Sequence, residues 1–503
     1  MALAIKATNS RDDANRNHLI KRYSFNEHHR NGSGVVGEAQ CFQTSCGAFY
    51  ATVFVDDHLE TWPLKSAQVR RLIRRQLFLQ RGEIPSDTKI KNLLDTVSAF
   101  ADEQHEVHVR FAGHGGEAYL DLGGPNWEQV RITTGGWSVI SSLESPVKFT
   151  RPSEAMTLPY PEPGGSLEAI RDILNLDRNE HEWMMLVSWL VGTFQPAGAY
   201  PILFIYGEQG SAKSTATRLI RSLVDPSTMP SRTLPRSERD LSIAASRAWM
   251  LAYDNVSTLS PKLSDAFCRL ATGGGFATRQ LYTDTDEIIL TSKRPIIMNG
   301  ITNFAERQDL MDRGIVVNMP TIAEKNRRPE RDIEREWEAV KPRVLGALCD
   351  AVAEGLRNIN EIALVNPPRM ADFAHWVSAV EPGLPWENGR FLNEYERNRF
   401  HVQDLALEAE PVALAILEFM TDREEWIGTA SELLTILSEL VRGEQRRLAS
   451  WPKAPHILSG RIKRSSAYLR ARDVEVEWAK SGTRTITLHK RSAEAPKASK
   501  GTN

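Results

Sequence analysis

Apolar residues fall along this chain in three rhythms, and each rhythm marks a region. From Gly47 to about Thr150 they come in short runs. Tyr50–Val55 with Leu59–Pro63 predicts a hairpin, and Glu106–Phe111, Ala118–Leu122, Val130–Thr133 and Trp137–Val139 predict short strands. Ser66–Leu79 and Ser86–Glu103 repeat at the helical period, so this region reads as a small α+β domain. After helices at Leu167–Leu174 and His181–Thr193, the rhythm changes to unbroken apolar runs. PILFIY (Pro201–Tyr206), RAWMLAYDN (Arg247–Asn255), KRPIIMNG (Lys293–Gly300) and Ile315–Met319 predict strands of a parallel sheet covered on both faces. Past Pro411 the order is helix at Pro411–Met420, helix at Ala430–Leu440, helix at His456–Arg472, then strands at Val474–Trp478 and Arg484–Leu488. That order predicts a winged helix.

These rhythms divide the chain into an N-terminal α+β domain (1–150), a linker and helical collar (151–194), an α/β core (195–360), a helical connector (361–410), the winged-helix-like domain (411–491) and a polar tail (492–503). The linker reading rests on the proline and glycine density of Thr150–Gly165. Residues 1 to about 35 are polar and read as a loose arm.

Composition changes this picture little. Of 503 residues 41% are apolar, and the net charge of −2 names no partner, so any basic surface is local. Four scattered cysteines, Cys41, Cys46, Cys268 and Cys349, do not make a disulfide framework and point to a reducing cytoplasm. No apolar run has the length of a signal peptide core or a membrane span, which predicts a cytoplasmic protein with no membrane partner.

The chemistry concentrates after Tyr206. GEQGSAKST follows a buried strand and opens a helix, the context in which glycines bend the backbone so that its N–H groups face a phosphate. Gly207, Glu208, Gly210, Ser211, Ala212, Lys213, Ser214 and Thr215 are therefore the expected ATP-binding residues. Lys213 reaches the β- and γ-phosphates, and the Ser214 hydroxyl holds Mg²⁺. Ala212 stands where the common pattern has glycine. Arg247–Asn255 ends in Asp254, the expected second Mg²⁺ residue. Asn255 follows where many such ATPases have a glutamate that activates water, and an amide cannot take that proton, so Glu208 and Asp265 are the stand-ins. Asn299, at the end of the next strand, is the expected γ-phosphate sensor, and Arg307 and Arg313 precede the last one, where an arginine can reach a neighbouring subunit's nucleotide.

That ordered set resembles the AAA+ superfamily, and the segment from Ser264 to Gly300 resembles its superfamily 3 branch, the poxvirus- and phage-type primase-helicases; the resemblance covers roughly Pro196–Leu356. It is also similar to ATP-binding proteins of phages and integrative elements. The resemblance implies a hexameric homo-oligomeric ring that hydrolyses ATP to drive a helicase along one DNA strand. A hairpin, here Phe276–Tyr282 with Glu287–Thr291, would project into its channel and carry Arg279, Lys293 and Arg294 to the DNA. At the C-terminus, Arg461, Lys463, Arg464, Arg470 and Arg472 crowd the third helix and Lys480 and Arg484 flank the wing turn, which fits duplex or fork DNA. Asn255 also favours a switch or loader that assembles on DNA without unwinding it, and a replicon-recognition protein with a purely structural ATP site is a third reading. In the N-terminal domain, Asp56 and Asp57 after TVFV are candidate metal carboxylates, and Cys41 and Cys46 with His28 and His29 are a candidate zinc set whose spacing fits no familiar finger.

Overall fold

The computed structural model describes residues 39–82, 84–274, 276–279, 287–290, 293–300, 308–408, 411–441, 443, 446, 451–479 and 485–490. The chain opens with β1 (Ala39–Gln43), β2 (Phe49–Val55) and β3 (His58–Pro63), antiparallel in that order and covered by α1 (Ala67–Arg81) and α2 (Asp87–Ser98). Strand alternation turns Ala51 and Val53 inward, where they meet Val69 and Ile73 of α1 and Ile90 and Leu94 of α2. Serine hydroxyls begin both helices, Ser66 accepting from Val69 N and Ser86 from Lys89 N.

Asp56 and Asp57 are the two residues of the β2–β3 hairpin turn. Asp56 is left-handed at φ 51 and the Asp57 side chain is 93% exposed. Their carboxylates serve a turn, a role aspartate fills because it tolerates that backbone, and they do not face a metal pocket. Cys41 and Cys46 are free thiols, and among the described residues no three His, Cys, Asp or Glu gather as metal ligands. His28 and His29 lie outside the described residues, as do the arm and the tail.

The next strands are β4 (Val107–His108), β5 (Phe111–His114), β6 (Glu117–Asp121), β7 (Gln129–Thr133), β8 (Gly136–Ile140) and β9 (Lys148–Phe149). β5 to β8 form an antiparallel sheet in chain order, and β4 pairs with β9. Phe111, Leu120, Val130 and Ile132 share one apolar cluster with α3 (Glu180–Gly192), not with the first sheet. A sheet face this apolar needs a cover, and the helices of the core supply it. The proline-rich stretch after Thr150 is not a free linker. It is strapped to its neighbours, with Met156 N donating to Pro226 O at 2.9 Å, Leu158 N to Leu122 O at 2.8 Å and Glu162 N to Pro342 O at 2.9 Å.

The core runs β10 (Ile202–Tyr206), α4 (Lys213–Val224), α5 (Glu238–Arg247), β11 (Leu251–Tyr253), α6 (Pro261–Thr272), β12 (Phe276–Arg279), β13 (Glu287–Leu290), β14 (Ile296–Gly300), α7 (Gln308–Met311), β15 (Gly314–Asn318) and α8 (Glu330–Asn358). Four of these strands make a parallel sheet in the order β11-β14-β10-β15. Leu203, Ile205, Ile297, Ile315 and Val317 pack on one face with α3, α4 and α8, while Ile202, Phe204, Ile296, Met298 and Val316 pack on the other with α5 and α6. Burial on both faces is why these strands read as continuous apolar runs.

The remainder comprises α9 (Ala371–Val380), α10 (Arg390–Glu408), α11 (Pro411–Met420), β16 (Glu425–Thr429), α12 (Ala430–Leu440), α13 (Pro455–Ala471), β17 (Val474–Trp478) and β18 (Thr485–Lys490). Its sheet is antiparallel in the order β16-β18-β17. β16 was not among the expected strands, since its Ile427 is 59% exposed and the segment lacks an apolar alternation. Ile416, Leu433, Leu458 and Ile462 join the apolar cluster on the second face of the parallel sheet, so this module is seated on the core. The whole is a mixed α/β protein, with a parallel sheet flanked by helices and antiparallel sheets before and after it. No described helix is long and apolar enough to cross a membrane.

Candidate functional site

β10 lies inside the parallel sheet, between β14 and β15, and its carboxyl end opens into a tight turn. Crevices at the carboxyl ends of such strands are where α/β sheets hold ligands. The turn is left-handed at three places, Gly207 (φ 155), Gly210 (φ 84) and Ala212 (φ 62). A Cβ on Gly207 would lie 2.6 Å from Ser211 Oγ and 2.7 Å from Met319 O, so only glycine fits there. Ala212 takes up its left-handed backbone at a cost of about 1 kcal/mol.

Ala212 is also the N-cap of α4, and it offers that helix no side-chain cap. The first-turn amides and the positive end of the helix dipole therefore front the turn without a capping oxygen. Lys213, 9% exposed, folds back into the turn. Its Nζ donates to Gly207 O and Glu208 O, both at 2.7 Å, and to Ser211 Oγ at 3.3 Å. Burial lowers its pKa, and the nearby Asp254 carboxylate pulls the other way.

Asp254, just past β11, accepts a hydrogen bond from Ser214 Oγ at 2.8 Å. One hydroxyl and one carboxylate side by side are the oxygen donors that a Mg²⁺ ion takes from a protein when phosphates and water complete its shell. Glu208 is exposed and accepts from Thr321 Oγ1 at 3.2 Å. Thr215 is half-buried on α4 and Asp265 half-buried on α6.

Asn255 is exposed and left-handed (φ 54), and its N–H donates to Asn299 Oδ1 at 2.9 Å. Asn299 is 1% exposed; its Nδ2 donates to Thr217 Oγ1 at 2.8 Å and its carbonyl accepts from Val256 N at 2.8 Å. Its amide thus ties β14, α4 and the turn after β11 together, and both ends of that amide bond protein groups.

The expected cations fare differently. Arg313 sits at the amino end of β15, across the sheet from the turn, and its Nη1 donates to Asp309 O at 2.7 Å and pairs with Asp309 Oδ1 at 2.5 Å. Arg307 lies outside the described residues. β12 and β13 form the expected hairpin, Phe276 opposite Leu290, but neither the Arg279 side chain nor the hairpin tip is among the described residues. Arg294 is not a DNA-facing cation. Its Nε donates to Ala245 O and Ala248 O, both at 2.9 Å, at the end of α5, and burial pushes its pKa down to about 10. Lys293 is half-buried.

On α13, Lys463 is exposed with Nζ 5.0 Å over the Trp478 ring, Arg470 and Arg472 are exposed, and Arg461 is half-buried. The Arg464 side chain, Lys480 and Arg484 lie outside the described residues.

One cation escaped the sequence reading. After β15 the chain passes back over the turn, with Met319 N donating to Tyr206 O at 2.8 Å and Ile322 N to Gly210 O at 3.3 Å. This seats exposed Arg327 so that its Nη2 is 3.2 Å from where a Cβ of Gly210 would be. The signal in the sequence was KNRRP, a basic run just past the strand that flanks β10.

Two family models match the chain. That for the actinomycete integrative conjugative element replication protein covers residues 167–386, and that for the C-terminal domain of the same replication protein covers 412–499. No curated protein matches. Among solved structures, two of the A form apo structure of the NrS-1 C terminal region align at TM-score 0.39 with 10% and 11% identity. An apo structure of the same region aligns at 0.38 with 11% identity. Each alignment covers 90% of this chain and 96% of the other, at a score too low to bear on chemistry. The family match corrects the resemblance to superfamily 3 AAA+ helicases: the matched 167–386 contains all of Pro196–Leu356, on which that resemblance rested. A strand, glycine turn and helix followed by an acid-tipped strand recur in many families and do not single one out.

Proposed function

Since the chain belongs to the replication proteins of actinomycete integrative conjugative elements, we propose that its glycine-rich turn is a P-loop for Mg²⁺–ATP whose turnover drives action on DNA. One observation carries this reading. Lys213 is folded into a left-handed turn at the carboxyl end of β10, beside a Ser214–Asp254 pair 2.8 Å apart. Backbone amides at a helix N-terminus, a lysine and a hydroxyl–carboxylate pair beside them together suit the holding of a triphosphate tail with its metal.

In this reading Gly207–Thr215 surround the phosphates, Lys213 and Arg327 supply positive charge, and Ser214 and Asp254 hold the metal. Bound Mg²⁺–ATP supplies the phosphoryl group whose transfer to water releases energy. Lys213 leaves the carbonyls of Gly207 and Glu208 for the phosphates. Asn299 keeps the Asp254–Asn255 turn in register with α4, so nucleotide contacts and the turn after β11 move together. The full form of the reading is a homo-oligomeric ring that translocates on one DNA strand, with the β12–β13 hairpin toward the strand. The three helices and three-stranded sheet of the C-terminal module, arranged in the manner of a winged helix, meet duplex DNA through Lys463, Arg470 and Arg472. Arg313, paired within its own subunit, has no part in it.

Asn255 favours a second reading, in which ATP binding assembles the protein on DNA and hydrolysis is slow, because no carboxylate follows Asp254 to take a proton from water. ATP turnover with and without single-stranded DNA, for wild type and Lys213→Ala, tests both. The motor requires turnover that DNA stimulates and Lys213→Ala abolishes. DNA-dependent assembly without strand displacement is the outcome for the switch. ATP binding unchanged in Lys213→Ala would overturn the site itself.

A further inference from the structure

The N-terminal module carries a charged surface that the reading above does not use. Its helix α1, AQVRRLIRRQLFLQR, holds five arginines and no acid. Val69 and Ile73 fix one side of the helix to the sheet beneath. The other side is two adjacent rows of residues one turn apart, Arg70–Arg74–Phe78 and Arg71–Arg75–Leu79, each step rising about 6 Å. All four arginines are exposed, and Phe78 and Leu79 are 53% and 63% exposed. Among the described residues Arg74 pairs with Asp87, and Arg70, Arg71 and Arg75 make no ion pair.

Like charges one turn apart repel, so these rows work against the helix until something neutralises them. A polyanion running along the helix does so. The aromatic ring at the end of one row then selects among polyanions, because a nucleotide base stacks on such a ring once it is free of its duplex partner. A membrane surface fits less well. An interfacial helix keeps its apolar side opposite its cations, whereas here Phe78 and Leu79 continue the cationic rows and the opposite side is committed to β1–β3. We propose that the outer face of α1 is a binding site for single-stranded nucleic acid, with Arg70, Arg71 and Arg75 on phosphates and Phe78 under a base. The site is separate from the ATP turn and does not depend on that reading.

The test uses the full chain without nucleotide and a fluorescent oligothymidylate, with anisotropy recorded across a salt series. For Arg70→Gln/Arg71→Gln/Arg75→Gln, the slope of log affinity against log salt becomes shallower by about 2, at about 0.7 for each phosphate left without its arginine. The matching triple Arg70→Lys/Arg71→Lys/Arg75→Lys keeps the wild-type slope, which separates charge from folding. Phe78→Ala weakens binding roughly tenfold with no change of slope. A control that removes three other exposed cations, Arg178, Arg331 and Arg335, leaves the slope at the wild-type value. The proposal is overturned if the glutamine triple keeps the wild-type slope. It is equally overturned if the triple loses binding only to phosphatidylserine vesicles or only to an acidic protein. ATP turnover of the glutamine triple without DNA stays at wild type, so failure here and failure of the ATP site remain distinguishable.

Discussion

Ala212 holds a backbone conformation that its side chain opposes. At φ 62 the Cβ crowds its own peptide, a cost of about 1 kcal/mol that glycine does not bear. Ala212→Gly is therefore expected to raise stability by up to about 1 kcal/mol, less what glycine's freer unfolded chain takes back, and Ala212→Val to lower it. Urea unfolding midpoints at fixed slope decide the matter. If the glycine variant is the less stable of the two, the turn is not strained at this position. His108 offers a titration instead. Burial pushes its pKa down from 6.5 to about 4, with Arg294 and His114 adding to the shift against Glu106. The unfolded chain thus binds a proton that the folded chain refuses. The stability this represents is complete above about pH 6.5 and is lost as pH falls from there toward about 4. Between pH 8 and pH 5 the loss attributable to this ring is about 2 kcal/mol. His108→Gln should lack that part of the acid sensitivity in unfolding midpoints taken across the range.

At the scale of elements, the edge of the parallel sheet is finished by side chains rather than by another strand. On the side of β15 away from β10, Asn398 of α10 accepts from Val316 N at 3.1 Å and donates to Val316 O at 2.6 Å, and Glu182 of α3 accepts from Asn318 N at 2.9 Å. Asn398→Leu leaves an N–H and a C=O without partners in a site with no water access, and should cost about 3 kcal/mol by equilibrium unfolding. A loss under about 0.5 kcal/mol would mean that the edge finds other partners. This arrangement marks the limit of what the sequence reveals. The strands β10, β11, β14 and β15 were legible because burial on two faces leaves an unbroken apolar run. The turn after Tyr206 was legible because glycine spacing records backbone geometry directly. Asp254 was named from the acid that ends an apolar run, but its hydrogen bond with Ser214 shows only once β11 and α4 are side by side. The roles of Asn398 and Arg327 were not legible, because each depends on which segments meet in space, and a polar side chain in a helix or loop reads alike whether it faces solvent or a strand edge. Arg294 misled for that reason: beside a hairpin it reads as a DNA contact, yet its guanidinium closes the end of α5.

For the whole molecule, one buried carboxylate sets how far the modules act together. Asp225, at the end of α4, accepts from Arg110 Nε at 3.1 Å, Arg221 Nη1 at 2.8 Å, Trp249 N at 2.9 Å and Met250 N at 3.1 Å. Arg110 in turn donates to Asp121 O at 2.8 Å and Met156 O at 2.6 Å. Burial opposes the charge on Asp225, but the two arginines outweigh it and hold the pKa below the usual value. One residue so links the second sheet, the strap after Thr150, α4 and β11, whereas the β1–β3 module has an apolar cluster of its own. Removing the carboxylate strands two guanidinium groups among apolar neighbours, so Asp225→Ala should cost about 3–5 kcal/mol. The distribution of that loss is the sharper expectation. In native-state hydrogen exchange, amides of β5–β8, α4 and β11 should lose protection together, since they share both the carboxylate and one apolar cluster. Amides of β1–β3 should exchange nearly as in the wild type, because their apolar cluster is separate from the one that the carboxylate supports. A uniform loss across both sets would make the first module part of the same cooperative unit, and a loss confined to α4 would mean that Arg110 anchors the second sheet through its two carbonyl contacts alone.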